Sequence, residues 1–271
     1  MKNVDEMTAA NLRRWDEKAQ ANWNSHYYDL DGFLRKKDSL LPLEVREVGD
    51  VNGKNMLHLQ CHFGMDSLSW AGRGATVTGV DFSAEAIRLA RELSRKIEVP
   101  AKFINSNVYD LESVLQTEFD IVYTSYGVLC WLPDLGEWGR LIAKYLRPGG
   151  FFYIVEGHPF GNMIDENVLD HFQAGYPYFD ESPEMFDDDH VVDQGHDFQN
   201  KERFEWFHSM SEIINSLVSQ GLHLEFVHEF SSCFFPMHPR MQRHDDGYWY
   251  LPEGEFNVPM MFSLKASKPF D

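Results

Sequence analysis

The alternation of strand-like and helix-like segments between residues 55 and 156 most limits how this chain can fold. Five short stretches are rich in β-branched and aromatic residues, and three of them are followed by a segment whose apolar residues recur at helical spacing. Because strands joined through helices run in the same direction, this order predicts βαβ crossovers and an open parallel sheet. The predicted strands are 55–59, 75–80, 101–104, 119–124 and 151–156, and the predicted helices are 67–72, 84–97 and 135–146.

Elements on both sides of this region complete the prediction. Residues 8–23 and 39–48 have helical spacing, and 209–220 is a clear amphipathic helix. Strands at 222–230 and 259–265 are expected to pair as an antiparallel hairpin at the edge of the sheet. The predicted fold is α/β, Rossmann-like and doubly wound, with a mostly parallel seven-stranded sheet, an antiparallel C-terminal hairpin and a helical or irregular cap.

The segment from Met56 to Gly64, MLHLQCHFG, runs from the first strand into the loop at its carboxyl end. Open α/β sheets bind their ligands at this end of the strands. A pyrophosphate-binding turn requires several closely spaced glycines, but this loop has Gly64 alone, with Gln60 and His62 where small residues are expected. Asp81 ends the second strand, where a carboxylate can accept two hydrogen bonds from a ribose diol. Together these residues favour an adenosine without a pyrophosphate over a dinucleotide.

Five stretches, in order, resemble the motifs of class I S-adenosylmethionine-dependent methyltransferases. They read GKNMLHLQCHFG, VTGVDFSAEAIRLAREL, FINSNVYDL, FDIVYTSYGVLCWLPDL and YLRPGGFFYIVE. The resemblance covers residues 53–156 and the C-terminal helix and hairpin, and is greatest to a bacterial subgroup whose first motif reads LHLQCHFG (methyltransferase-domain type 11/25-like). It implies S-adenosylmethionine as cofactor and methyl transfer to a small molecule by in-line displacement.

The resemblance also implies which residues contact the cofactor. They are Tyr28, Leu59, Gln60, Cys61, His62, Gly64, Asp81, Phe82, Ser83, Asn107, Val108, Tyr109, Ser125 and Tyr126. The chain departs from the usual pattern at His58, which replaces the acid that commonly precedes the loop. It departs again at Asn107, which replaces an acid after the third strand but can still accept a hydrogen bond from the adenine amino group.

Methyl transfer from a sulfonium requires proximity, exclusion of water and in some cases a base. The candidate bases are His158, just beyond the fifth strand, His208, before the late helix, and Glu156, whose pKa would be raised by a partly desolvated position. Each of these residues fits a purely structural role as well. Tyr126 either faces the transferred methyl group or is a packed aromatic residue.

The formal charge of −19 argues against a nucleic-acid partner, because phosphate binding needs a basic surface. Thirteen carboxylates lie between Asp165 and Glu205 with only Lys201 and Arg203 to balance them. The segment is either a solvated acidic surface or an aromatic lid whose negative potential favours neutral or cationic acceptors. Asp187-Asp-Asp-His190 could hold a metal, but a solvated loop is the simpler interpretation, and no metal is expected.

We predict four segments by role. Residues 1–48 form an N-terminal cap, 49–156 the cofactor-binding core, 157–205 an acidic aromatic lid, and 206–271 complete the sheet.

The N-terminus has no apolar signal region, the apolar runs are too short to span a bilayer, and three scattered cysteines suggest no disulfide framework. We therefore expect a cytoplasmic monomer or homodimer that acts on a small molecule without a membrane partner. Two alternatives remain open: a protein that binds the cofactor without catalysis, and a Rossmann-type NAD(P) oxidoreductase.

Overall fold

The structure is a computed structural model that describes residues 2–179, 182–187, 198–254 and 257–270. Its strands are β1 Asn55–Leu59, β2 Thr76–Asp81, β3 Lys102–Asn105, β4 Phe119–Ser125, β5 Leu146–Gly157, β6 Glu184–Asp187, β7 Glu202–Glu205, β8 His223–Phe230, β9 Ser232–Cys233, β10 Gln242–Arg243, β11 Trp249–Tyr250 and β12 Met261–Ser267. Its α-helices are α1 Val4–Trp23, α2 Leu30–Lys36, α3 Pro42–Val48, α4 Met65–Gly72, α5 Ala84–Ile97, α6 Leu135–Tyr145 and α7 Met210–Val218.

The main sheet has seven strands in the order β3-β2-β1-β4-β5-β12-β8. The first five are parallel, and β12 is antiparallel to both of its neighbours, β5 and β8. The predicted Rossmann-like, mostly parallel sheet is therefore confirmed. The predicted C-terminal strands do pair with each other, but β12 lies inside the sheet, so that only β8 forms the edge.

The helices begin where the local sequence provides hydrogen-bond acceptors for their first backbone N–H groups. Ser83 accepts from Ala86 N at the start of α5, and Asp134 accepts from Glu137 N at the start of α6. A reciprocal capping box of Ser209 with Glu212 starts α7. These caps explain why the bounds of the core helices could be predicted closely.

Three local predictions were incomplete. The sequence suggested a helix from residue 39, but α3 begins at Pro42, because proline is favoured in the first turn of a helix. The preceding aromatic stretch contains the unpredicted helix α2, whose start Asp29 accepts from Gly32 N at 3.0 Å. In the insert, β6 and β7 pair as a two-stranded antiparallel sheet that no periodicity indicated.

The N-terminal helix α1 packs against both the insert and the core. Asn11 and Phe204 exchange two hydrogen bonds of 2.8 Å, which join α1 to β7. Asp16 accepts from Ser83 Oγ at 2.7 Å and from Glu85 N at 3.2 Å, which joins α1 to the start of α5. The first residues of the chain therefore form one wall above the carboxyl ends of the strands.

None of the helices in the described part of the chain is both long and apolar enough to cross a membrane.

Candidate cofactor and active site

A cavity of about 850 Å³ opens at the carboxyl ends of the parallel strands. It is lined by Gln60 after β1, Asp81 at the end of β2, Ser106 after β3, Ser125 at the end of β4 and Glu156 in β5. A volume of this size is at the upper end of the range for small-molecule sites. The cavity therefore has room for a nucleoside cofactor and part of a second molecule.

The loop after β1 has the left-handed backbone conformation typical of glycine at two residues that are not glycine. Gln60 and His62 have φ values of 54° and 50°, and Gly64 has 78°. A non-glycine residue in this left-handed region costs about 1–2 kcal/mol, so surrounding contacts must hold the loop. His62 N donates to Asp81 Oδ2 at 2.8 Å, and Gln60 Nε2 donates to Val128 O at 3.0 Å.

Asp81 both organises this loop and faces the cavity. Its Oδ1 accepts from Ser83 N at 2.9 Å, while Oδ2 accepts from His62 N. Burial raises the pKa of Asp81 to about 6, although the two backbone hydrogen bonds oppose this shift. Each carboxylate oxygen keeps a free lone pair for a ligand hydroxyl.

The adenine-side residues predicted from the resemblance also border the cavity. Phe82, Asn107, Val108 and Tyr109 contribute to its lining. Asn107 Oδ1 accepts from Tyr109 N at 3.1 Å, so the Asn107 side chain caps the turn that follows. Ser83 does not line the cavity, because its hydroxyl caps α5 and donates to Asp16.

The N-terminal segment places aromatic rings against the loop after β1. Tyr28 lies 4.9 Å from the ring centre of Phe63 and 5.3 Å from that of His62. Trp15 of α1 makes edge contacts with His62 at 5.5 Å and with Trp131 at 5.3 Å. Burial lowers the pKa of His62 to about 3, so this ring is neutral and packs as an aromatic group.

Leu59 is buried in the core and does not line the cavity, whereas Cys61, His62 and Gly64 do. Any contact of Leu59 with the cofactor would therefore have to come from its backbone.

Glu156 anchors the loop after β4. Its carboxylate accepts from Gly127 N at 2.6 Å, Val128 N at 2.7 Å, Gly157 N at 2.7 Å and Leu129 N at 3.3 Å. Burial raises its pKa, and these four hydrogen bonds oppose the shift. Because its lone pairs are already occupied by backbone donors, Glu156 is poorly placed to accept a proton from a substrate.

His158 also fails the geometric requirement for a base. It does not line the cavity, and its Nε2 lies 2.9 Å from Glu229 Oε1 on β8. Its Nδ1 accepts from Phe160 N at 3.0 Å, so both ring nitrogens contact other groups of the chain. Strand direction alone could not show that this side chain turns toward β8.

His208 does line the cavity, and its environment suits a base. Its Nε2 lies 2.8 Å from Leu132 O. A carbonyl oxygen only accepts hydrogen bonds, so Nε2 carries the proton and Nδ1 has the lone pair. Burial lowers the pKa of His208, which keeps the ring neutral near pH 7.

Tyr126 lies in the cavity wall with φ of 45° and packs against the Phe234 ring at 4.4 Å. Burial and the nearby Glu44 carboxyl hold the pKa of its phenol well above the ordinary value. Tyr126 therefore remains protonated and cannot serve as a base at neutral pH. Its position beside Ser125 fits either contact with a transferred methyl group or simple packing.

The outer wall contains residues that the sequence interpretation missed. The chain between β8 and β12 contains a three-stranded sheet of β9, β10 and β11. The cavity is lined from this part of the chain by Phe234, Phe235, Met237, Arg243 and Trp249. Asp66, in the first turn of α4, was also missed and lines the cavity beside Ser125. The paired phenylalanines between two predicted strands were the available signal for this wall.

The structure describes part of the acidic insert. Asp180, Glu181, Asp188, Asp189, Asp193 and Asp197, together with His190, lie outside the described residues. Among the seven carboxylates that are described, Glu166 and Glu205 line the cavity. Among the aromatic residues of the insert, Tyr176 and Phe186 line it, whereas Phe179 is 81% exposed.

Comparisons with known proteins agree with this geometry. Residues 57–154 match the family model of a methyltransferase domain. The chain is 29% identical over 147 residues to a ubiquinone biosynthesis O-methyltransferase of Proteus mirabilis, covering 53% of this chain and 57% of the relative. The corresponding Vibrio parahaemolyticus protein is 27% identical over 176 residues, covering 64% and 68%. The chain thus spans little more than half the length of the Proteus relative.

Solved structures share the fold. An S-adenosylmethionine-dependent methyltransferase from Mesorhizobium loti superimposes with a TM-score of 0.59 at 19% identity, covering 83% of this chain and 96% of that one. The glycopeptide N-methyltransferase MtfA, complexed with S-adenosylmethionine, gives 0.53 at 16% identity, covering 84% and 87%. These superpositions show that the chain has the fold of S-adenosylmethionine-dependent methyltransferases.

Residues 57–154 thus match a methyltransferase domain, and the chain has the fold of solved S-adenosylmethionine-dependent methyltransferases.

Proposed function

We propose that this protein is an S-adenosylmethionine-dependent methyltransferase that acts on a small molecule. The observation that carries the proposal is the loop from Gln60 to Gly64, which keeps left-handed backbone at non-glycine residues and is held by the cavity-facing carboxylate of Asp81. Strain of this kind is maintained where the surrounding contacts, and often a ligand, require the shape. The cavity also has space beyond what the cofactor would fill.

The residues present fit this cofactor. Asp81 would accept from the ribose hydroxyls, and Asn107 and Val108 border the part of the cavity suited to adenine. The lone pairs that Asp81 leaves free support this assignment. When bound, S-adenosylmethionine supplies an electrophilic methyl group carried on a sulfonium sulfur. After the transfer, the rest of the cofactor departs as a neutral thioether. The protein orients the acceptor, excludes water through α1 and the insert, and accepts a proton at His208 Nδ1.

The four segments predicted above keep their roles in this proposal, with one addition to the C-terminal segment. Residues 1–48 would cap the cofactor, 49–156 would bind it, and 157–205 would cover the acceptor. Residues 206–271 would complete the sheet and supply the aromatic wall around Phe234 and Trp249. We further propose that the protein works in the cytoplasm as a monomer or homodimer, without a nucleic-acid or membrane partner.

Binding and turnover test the proposal. S-adenosylhomocysteine at about 100 times its dissociation constant should stabilise the fold by roughly 2.7 kcal/mol, seen as a rise in melting temperature. NADH should produce no such rise, since the loop lacks the glycines that a pyrophosphate needs. Absence of heat and of any melting shift with both S-adenosylmethionine and S-adenosylhomocysteine contradicts cofactor binding. Binding without methyl transfer to any acceptor supports a non-catalytic binding protein.

The cavity favours an acceptor that is neutral or cationic. Carboxylates in its lining outnumber cations: Asp66, Asp81, Glu156, Glu166 and Glu205 against Lys18, Arg203 and Arg243. Of these cations, Arg203 pairs with Glu205 at 2.7 Å. Negative potential in an enclosed site concentrates cations and repels anions. With labelled methyl donor, we expect incorporation into neutral aromatic or amine-bearing compounds and little into phosphorylated ones. Preferential methylation of multiply anionic compounds shows this expectation to be wrong.

Substituting Asp81 tests the ribose contact. Asp81→Ala is expected to weaken binding of S-adenosylhomocysteine by about 1.5–3 kcal/mol, the range of a charge-assisted hydrogen bond. Because the pKa of Asp81 is raised to about 6, the ionised acceptor forms as pH rises through 6. Affinity should therefore rise between pH 5 and 7 in the wild type and change less in Asp81→Asn. Isothermal titration at several pH values measures both effects. An unchanged dissociation constant in Asp81→Ala would show that Asp81 has only a structural role.

A further inference from the structure

Asp66 is an acidic side chain in the cavity wall. It is only partly accessible, and it lines the cavity. Oδ1 accepts from Ser39 Oγ at 2.6 Å, and Oδ2 accepts from Ser125 Oγ at 3.1 Å. No Lys or Arg of the described ranges forms an ion pair with it, and the charge that acts on it is another carboxylate, Asp38.

His58, which contacts the same Ser125 hydroxyl as Asp66, does not supply a positive charge. His58 lies 3.5 Å from Ser125 Oγ through Nε2 and contacts Ser67 Oγ at 2.7 Å through Nδ1. Burial lowers the pKa of His58 to about 3, so it is neutral. A carboxylate in such surroundings is costly unless a ligand provides the opposite charge. Burial indeed raises the pKa of Asp66 in the free protein.

The position of Asp66 indicates which ligand group approaches it. Asp81 lies at the end of β2, on one side of β1, and Ser125 lies at the end of β4, on the other side. A nucleoside with its ribose at Asp81 therefore extends its amino-acid end across β1 toward Ser125. Each oxygen of Asp66 accepts one hydroxyl hydrogen bond and keeps a lone pair for a further donor.

We propose that Asp66 binds the α-ammonium group of the cofactor, with Ser39 and Ser125 holding the carboxylate in place. The inference rests on the proposed function, because it assumes that the cofactor occupies this cavity. It also explains how the site can lack the acid that related enzymes commonly have at the position of His58. The negative charge comes instead from Asp66 in the first turn of α4. An acid there is favourable for the helix dipole as well, so the position is compatible with the fold.

Two probes and matched variants test the assignment. The probes are S-adenosylhomocysteine and its analogue in which hydrogen replaces the α-amino group. We expect Asp66→Asn to weaken S-adenosylhomocysteine about 10- to 100-fold and to leave the desamino analogue unchanged or tighter. Asp50→Asn is the matched control, since Asp50 is exposed and does not line the cavity, and both probes should bind it normally. Asp66→Ser provides a second variant if the asparagine substitution prevents folding.

The outcomes separate this inference from the proposed function. If the wild-type protein binds neither probe, the proposed function fails and this inference fails with it. If the wild-type protein binds S-adenosylhomocysteine and the Asp66 variants bind it equally well, only the ammonium site is overturned. An equal loss for both probes in the Asp66 variants also overturns it, because such a loss reports a general disturbance of the cavity.

Discussion

His208→Ala is expected to lower kcat by about 100- to 10,000-fold with an acceptor that must lose a proton, the usual contribution of a positioned base. The Nε2–H of His208 is directed to Leu132 O, which fixes the tautomer and leaves Nδ1 as the acceptor in the cavity wall. Since Glu156 is occupied by four backbone donors and His158 contacts Glu229, His208 is the one of the three predicted bases that the geometry retains.

The measurement is methyl transfer at saturating cofactor, with binding of S-adenosylhomocysteine measured in parallel. Burial lowers the pKa of His208 below its ordinary 6.5, so the base form persists above pH 7 and is lost as pH falls through that lower pKa. The wild-type rate should therefore be flat above neutrality and decline in acid. His223→Ala, at the exposed start of β8, is the control and should retain the wild-type rate.

An unchanged kcat in His208→Ala contradicts the role of base. A fall in rate matched by an equal loss of cofactor affinity would instead indicate a damaged cavity.

The elements that could be predicted are those whose signals lie close together in the sequence. β1 and α5 have the predicted bounds, because an apolar strand and a Ser83 cap are local features. The two-residue strands β9, β10 and β11 are too short to produce a pattern, and pairing with one another defines them. β6 and β7, which were also missed, are four residues each and are likewise defined by pairing with each other.

The site shows the same division. The sequence identified Gln60, Asp81 and Asn107 because each follows or ends a strand, and all such positions meet at one edge of a parallel sheet. It could not distinguish the three candidate bases, because that choice depends on where each side chain turns. Asp66 was overlooked for a related reason: a carboxylate in the first turn of a helix is common, and only the cavity shows that this one faces a ligand.

Gly64→Ala is expected to destabilise the protein by about 2–5 kcal/mol, combining about 1–2 kcal/mol for left-handed backbone with about 1–3 kcal/mol for overpacking. Backbone conformation alone does not explain the glycine, because Gln60 and His62 adopt φ values of 54° and 50° in the same loop. A Cβ at position 64 would lie 2.7 Å from the Phe103 ring, which is buried and cannot easily move away.

Gly221→Ala isolates the two contributions. Gly221 has φ of 80°, nearly that of Gly64, but a Cβ there would meet nothing within 4 Å. We therefore expect Gly221→Ala to cost only the contribution of the left-handed backbone, about 1–2 kcal/mol, in denaturant unfolding. Gly64→Ala should also weaken S-adenosylhomocysteine binding, because Gly64 N donates to Cys61 O and closes the loop against the cavity. Equal losses of stability in the two variants would show that the Phe103 ring moves away from the added Cβ. The overpacking contribution would then be absent.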